Sequence, residues 1–148
     1  MNFILSLITF LPLLGATIIT LFVQGSDLQA SENAKRVSLV TSLFVFCISI
    51  FLLFQFDFSN PRFQFVEEFL WLGFFNYKLG VDGLSISLVL LTTFIMPFVF
   101  LSSWGVNKRV KEFLIAFLIL ETLMIGVFVS LDLFLFYVFF EAGLIPMF

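Results

Sequence analysis

Apolar residues in this chain fall into long, unbroken runs separated by short polar stretches. The runs are Phe3 to Val23, Val37 to Phe56, Leu84 to Trp104 and Phe113 to Leu131. Each is about 20 residues long, the length a helix rising ~1.5 Å per residue needs to cross a hydrocarbon core of roughly 30 Å. A fifth run starts near Leu133 and reaches Phe148, a helical length of only about 24 Å. The pattern predicts an all-α integral membrane protein. It is read as one transmembrane region over 1–148, a helical bundle with four complete transmembrane helices, a truncated fifth and no soluble domain. The expected spans are about 3–23, 37–56, 84–104, 113–131 and 133–148. No polar flank closes the fifth run, so the chain reads as the N-terminal part of a longer subunit. Its fifth helix is then expected to expose polar groups that later helices bury. The first run is expected to remain as a span, because no Lys or Arg precedes Lys35 as a secretory signal requires. Pro12 and Gly15 within it are tolerated in membrane helices.

Composition identifies the solvent. Hydrophobic residues make up 61% of the chain and charged residues 11%, with 25 Phe and a mean hydropathy of +1.19, far from the balance of a water-soluble domain. Lys35 and Arg36 lie between runs one and two, and Lys108, Arg109 and Lys111 between runs three and four. Arg62 and Lys78 in the longer second-to-third connection are offset by Asp57, Glu67 and Glu68. The positive-inside rule therefore puts the two short basic loops inside and the N-terminus outside. In the long loop, "FLWLGFFNYK" gathers Trp71, Phe74, Phe75 and Tyr77, read as an interfacial aromatic belt or a re-entrant packing segment. Asp82 is expected to cap the helix of the third run. There is no His, a lone Cys47, no GxGxxG and no GxxxxGK[ST]. This stretch therefore lacks the ligands for metal, iron–sulfur, nucleotide or thiol chemistry. It has no basic stripe for nucleic acid either.

Two carboxylates inside the runs stand out, Glu121 in "LILETLMIGVF" and Glu141 in "FLFYVFFEAGLIPMF". Each is ten positions from Leu131, so a tight antiparallel hairpin puts both about 15 Å below the turn. Ser130 is expected to cap the fifth helix, with Asp132 in its first turn. Two desolvated carboxylates at one depth suggest a proton site, and an ionisable group at mid-membrane is by default a functional hypothesis. The alternative is that each hydrogen-bonds a neighbouring helix. If the two face different ways, Glu141 is expected to face the interior. Tyr137 stands one turn before Glu141 on the same face. Pro146 has no N–H and frees the carbonyl of Ala142 beside that carboxylate, as Pro97 does for Thr93. Glu121, Tyr137 and Pro146 are thus candidate accessory groups around Glu141.

The segment "DLFLFYVFFEAGLIPMF", with Glu141 five residues before Pro146, resembles the fifth helix of the antiporter-like chain M of proton-pumping NADH:quinone oxidoreductase, respiratory complex I; the mitochondrial counterpart is subunit 4. "VDGLSISLVLLT" resembles the third helix of the same family and "SLDLFLFY" its hairpin. The resemblance implies a membrane-arm subunit that moves protons along buried charged groups, with Glu141 as the essential helix-five glutamate pairing with a lysine on a later helix. No Lys follows Lys111 here. It also implies that NADH, flavin, iron–sulfur clusters and quinone belong to partner subunits and that this chain has no cofactor. Its neighbours would be other membrane-arm subunits and the lipid bilayer of a bacterial plasma membrane or a mitochondrial inner membrane. Cation/proton antiporter subunits and membrane-bound hydrogenases share the glutamate and are the related alternatives. A purely structural membrane subunit is the alternative of another class.

Overall fold

The computed structural model describes residues 3–22, 28–71, 75–105 and 108–148. Helices α1 (Ile4–Phe22), α3 (Gly83–Ser102) and α4 (Val110–Val129) match three of the long runs to within a few residues, α2 (Leu28–Gln55) covers the other and extends ahead of it, and α5 (Leu133–Ala142) and α6 (Leu144–Met147) divide the fifth. Among the described residues four helices are long and apolar enough to cross a membrane, and 28–39% of each spanning stretch is buried inside the chain. The remaining apolar side chains, among them Leu14, Leu21, Phe44, Phe54 and Phe98, point outwards. Water would penalise so much exposed hydrocarbon, whereas lipid does not. α2 begins well before Val37 because Ala30, Glu32, Ala34 and Lys35 favour helix. Ala30 and Ala34 there pack into an apolar cluster with Phe100 and Val110.

Where the driving force between lipid-embedded helices is close packing, small residues mark the contacts. A Cβ on Gly15 would lie 2.8 Å from the Thr41 side chain, and one on Gly126 would lie 2.7 Å from the Phe139 ring. Gly15 therefore lets α1 approach α2, and Gly126 gives the ring from α5 its seat on α4. Pro12 and Pro97 are both buried within continuous helices.

The long loop departs from the all-helical expectation. It forms an antiparallel pair, β1 (Gln64–Trp71) and β2 (Phe75–Val81), with Glu68 opposite Lys78 and Phe69 opposite Tyr77. The register shifts between Gln64 and Glu67, next to Phe65 at φ 58°. On β2, buried Leu79 and Val81 lie on one face and join the core that includes Ile86, Val129 and Leu135, so the strand has a period of two and a buried side. Of the aromatic belt expected here, Phe74 and the side chains of Trp71 and Phe75 lie outside the described residues.

This hairpin fastens one end of the bundle. Leu131 N–H donates to the Lys78 carbonyl at 2.8 Å, and Asn76 N–H donates to Asp132 Oδ2 at 3.0 Å. Ser6 N–H donates to Glu67 Oε2 at 3.0 Å, the Ser6 and Tyr77 hydroxyls share a hydrogen bond of 2.9 Å, and Phe3 stacks on Phe69 at 5.7 Å. Asp132, not Ser130, caps α5, accepting from Phe134 N–H at 2.9 Å. Ser130 instead ends α4. Asp82 caps α3 as expected, accepting from Ser85 N–H at 2.8 Å. At the opposite, basic end Lys35 Nζ donates to the Trp104 carbonyl and lies 5.7 Å from its ring.

Candidate functional site: two intramembrane carboxylates

The turn between α4 and α5 sets the level of both acids. Glu121 is eight residues before Val129 and Glu141 eight residues after Leu133, so each lies about 12 Å along its helix from the turn. Their faces differ. Glu121 is 0% exposed, whereas Glu141 is exposed on the outer side of α5. Within these helices the enclosed acid is Glu121, and Glu141 faces away from them. The reason lies in α5, which buries Leu135 in the core and seats Phe139 on Gly126 of α4 and so turns Leu133, Tyr137 and Glu141 outwards.

Tyr137 is 59% exposed on that outward stripe. No hydrogen bond joins its hydroxyl to Glu141 among the described residues. Pro146 acts as its chemistry requires: α5 ends at Ala142, Gly143 N–H donates to the Phe139 carbonyl at 3.1 Å, and only the short α6 follows. The backbone is thus interrupted two residues beyond Glu141. Beside this break an apolar cavity of about 370 Å³, lined by Leu123, Val127, Phe139, Gly143 and Leu144 among others, separates α4 from α5 and α6. In α3, next to Pro97, Thr93 Oγ1 shares a 2.8 Å hydrogen bond with Ser49 of α2 and donates to the Leu90 carbonyl at 3.1 Å.

Glu67 is a titratable group that sequence reasoning treated only as loop charge. It is 4% exposed, with Oε2 accepting from Ser6 N–H and Oε1 without a hydrogen-bond partner among the described residues. Burial pushes its carboxyl above the usual carboxylate range, against the lowering effect of the Ser6 donors. Burial also pushes up the Tyr77 hydroxyl. Nothing in the sequence signals it: Glu67 is buried because in β1 it pairs with Leu79 of β2, which lies in the core.

Lipid-facing apolar helices with carboxylates set inside their spans define a multi-pass membrane protein. Its sequence relatives narrow that class. The chain is 56% identical over 148 residues to NADH-quinone oxidoreductase subunit M of Rhodobacter capsulatus, covering 100% of this chain and 29% of that relative. It is 48% identical over 145 residues to NADH-ubiquinone oxidoreductase chain 4 of Mycosarcoma maydis, covering 97% of this chain and 30% of that relative. A chain of respiratory complex I from Thermus thermophilus with bound NADH superposes with a TM-score of 0.75 at 25% identity, over 96% of this chain and 27% of that one. No family model matches. The chain is a homologue of subunit M, or chain 4, of NADH:quinone oxidoreductase, and corresponds to the N-terminal part of those proteins.

Proposed function

We propose that this chain serves in the membrane arm of a proton-translocating NADH:quinone oxidoreductase, in a bacterial plasma membrane or mitochondrial inner membrane, with Glu141 as an ionisable group on its proton path. The similarity to subunit M and chain 4 supports the assembly. The observation that carries the role of Glu141 is its placement: a carboxylate mid-span on the face of α5 that α1–α4 leave open, two residues from a helix break. No lysine follows Lys111, so a cation facing Glu141 from a later helix has to come from beyond these residues. Such a cation drawn close favours the carboxylate and expels its proton, and drawn away favours the acid. Proton loading thereby follows a change in the separation of two charges. The donor set does not suit a redox centre, since the chain has no His and a single Cys47 that is exposed on α2. NADH, flavin, iron–sulfur clusters and quinone fit the partner subunits, whose quinone reduction supplies the energy.

The test uses the full-length subunit in the assembled complex. Glu141→Gln keeps size and most hydrogen bonding but removes the titratable proton. It should assemble normally, lose most redox-coupled proton uptake by inverted vesicles, and slow NADH oxidation in step. Glu141→Asp should lose only part. Wild-type pumping by Glu141→Gln would reduce Glu141 to a helix contact and overturn the proposal.

A further inference from the structure

We propose that Glu121 and Thr122 form a second, hydrated proton-holding site enclosed by α1–α4 and walled off from Glu141. The core of the bundle is two apolar clusters. One includes Ile8, Val45, Val89 and Ile125, the other Ala16, Ala34, Met96 and Leu118. Along every one of the four helices, buried polar residues fall at the seam between the clusters: Thr9 on α1, Ser38 and Ser42 on α2, Thr92 and Thr93 on α3, and Glu121 and Thr122 on α4. Four chain segments converge on one polar layer at mid-bundle, where apolar packing alone would be cheaper.

Within that layer most hydroxyls are settled on their own helices. Thr9 donates to the Leu5 carbonyl and Thr92 to that of Leu88, which leaves their oxygens free to accept. Glu121 and Thr122 are the exceptions. Both carboxylate oxygens and the Thr122 hydroxyl are buried with no hydrogen-bond partner among the described residues. Three such atoms on adjacent residues are not the mark of a helix-to-helix hydrogen bond, and buried polar atoms left without protein partners are ordinarily completed by internal water. Further acceptors are at hand, because Pro12 frees the carbonyl of Ile8 and Pro97 that of Thr93.

No cation faces Glu121 from the helices around it. α1 and α3 contain no ionisable residue; the thiol of Cys47 on α2 is exposed, and the charged residues of α2 and α4 besides Glu121, namely Glu32, Lys35, Arg36, Lys111 and Glu112, sit towards the basic end. Lys35 there is engaged by Trp104. A carboxylate with water as its partner and no countercharge takes an excess proton that reaches that water: an O–H bond of the hydronium breaks as the carboxyl O–H forms, leaving neutral water, and release is the reverse. Protein separates this site from Glu141, since Phe139 lies against Gly126 and Glu141 is on the other side of α5. The inference does not depend on the role of Glu141.

Infrared difference spectroscopy of the assembled complex tests it with a readout independent of pumping. The wild type should show the carbonyl stretch of a protonated carboxylic acid that shifts downward after exchange into heavy water. Glu121→Gln should lose that band, Glu141→Gln should keep it, and Thr122→Val should move it by removing a hydroxyl from the water's shell. An unchanged spectrum in Glu121→Gln, or a band that heavy water does not shift, would overturn the site. Where Glu121→Gln fails to assemble, the near-isosteric Thr122→Val decides: an unmoved band also overturns it.

Discussion

A glutamate on an exposed loop and one under a strand differ in what protonation does to the fold. Glu67 is of the second kind, and burial holds its carboxyl above the ordinary range. The folded state therefore keeps a proton at pH values where the unfolded chain has released it. Stability then falls as pH rises: the contribution of the neutral acid is complete below the usual carboxylate range near 4.5 and is lost as pH climbs through the raised value. Glu67→Gln should abolish this dependence while its amide oxygen still accepts from Ser6 N–H. Amide-exchange protection of β1 and β2 across that pH range, in wild type and variant of the full-length protein, checks the sign. Tyr77→Phe removes the hydroxyl shared with Ser6 and should cost about 1 kcal/mol, read as faster exchange at the same strands.

At the scale of elements, the α4–α5 hairpin closes because a ring occupies the place of a missing side chain. With the Gly126 Cβ position 2.7 Å from Phe139, Gly126→Ala cannot be accommodated without moving the ring. Overpacking of this kind costs about 1–3 kcal/mol. Gly126→Ala should lower the yield of assembled complex, and adding Phe139→Leu should recover part of it, a non-additivity that expression and assembly assays can read. Asp132 joins the same hairpin to the sheet, capping α5 with one oxygen and holding Asn76 with the other. Asp132→Ala should therefore exceed the ~1 kcal/mol typical of a lost cap and loosen β2 as well as α5, seen as raised exchange in both.

Across the whole molecule, the sheet marks one end and the basic residues the other. α1, α3 and α5 start at the hairpin end, and α2 and α4 finish there, while Lys108 and Arg109 are exposed at the opposite end. Positive-inside orientation then puts Ser59, exposed beside the hairpin, on the outer side of the membrane. In a Cys47→Ser background, Ser59→Cys should react with an impermeant thiol reagent added outside and Lys108→Cys only after the membrane is opened. Labelling in the reverse order would invert the topology.

The apolar helices and the equal count of residues from the α4–α5 turn to Glu121 and to Glu141 were legible in the sequence because both depend on a local quantity. Helical rise per residue is set by the backbone, so counting positions gives length and distance from the turn without knowledge of neighbours. The caps were half legible. Asp82 fell where expected, whereas the cap of α5 moved from Ser130 to Asp132 because Ser130 is drawn into a bridge with Leu79 of β2. The hairpin was not legible, since aromatic residues on both of its faces blur the alternation and its pairing joins positions as far apart as Gln64 and Val81. Nor was the direction of the two acids. α4 and α5 are apolar nearly all round, so their sequences state no preferred side; which residue is enclosed depends on the azimuth of each helix, and Phe139 seated on Gly126 fixes it. The sequence by itself determined how far along its helix from the turn each carboxylate lies, because helical rise follows from backbone geometry. Only the tertiary structure decided that Glu121 is shut inside the bundle and Glu141 left on its outer face, because facing is a property of contacts between helices.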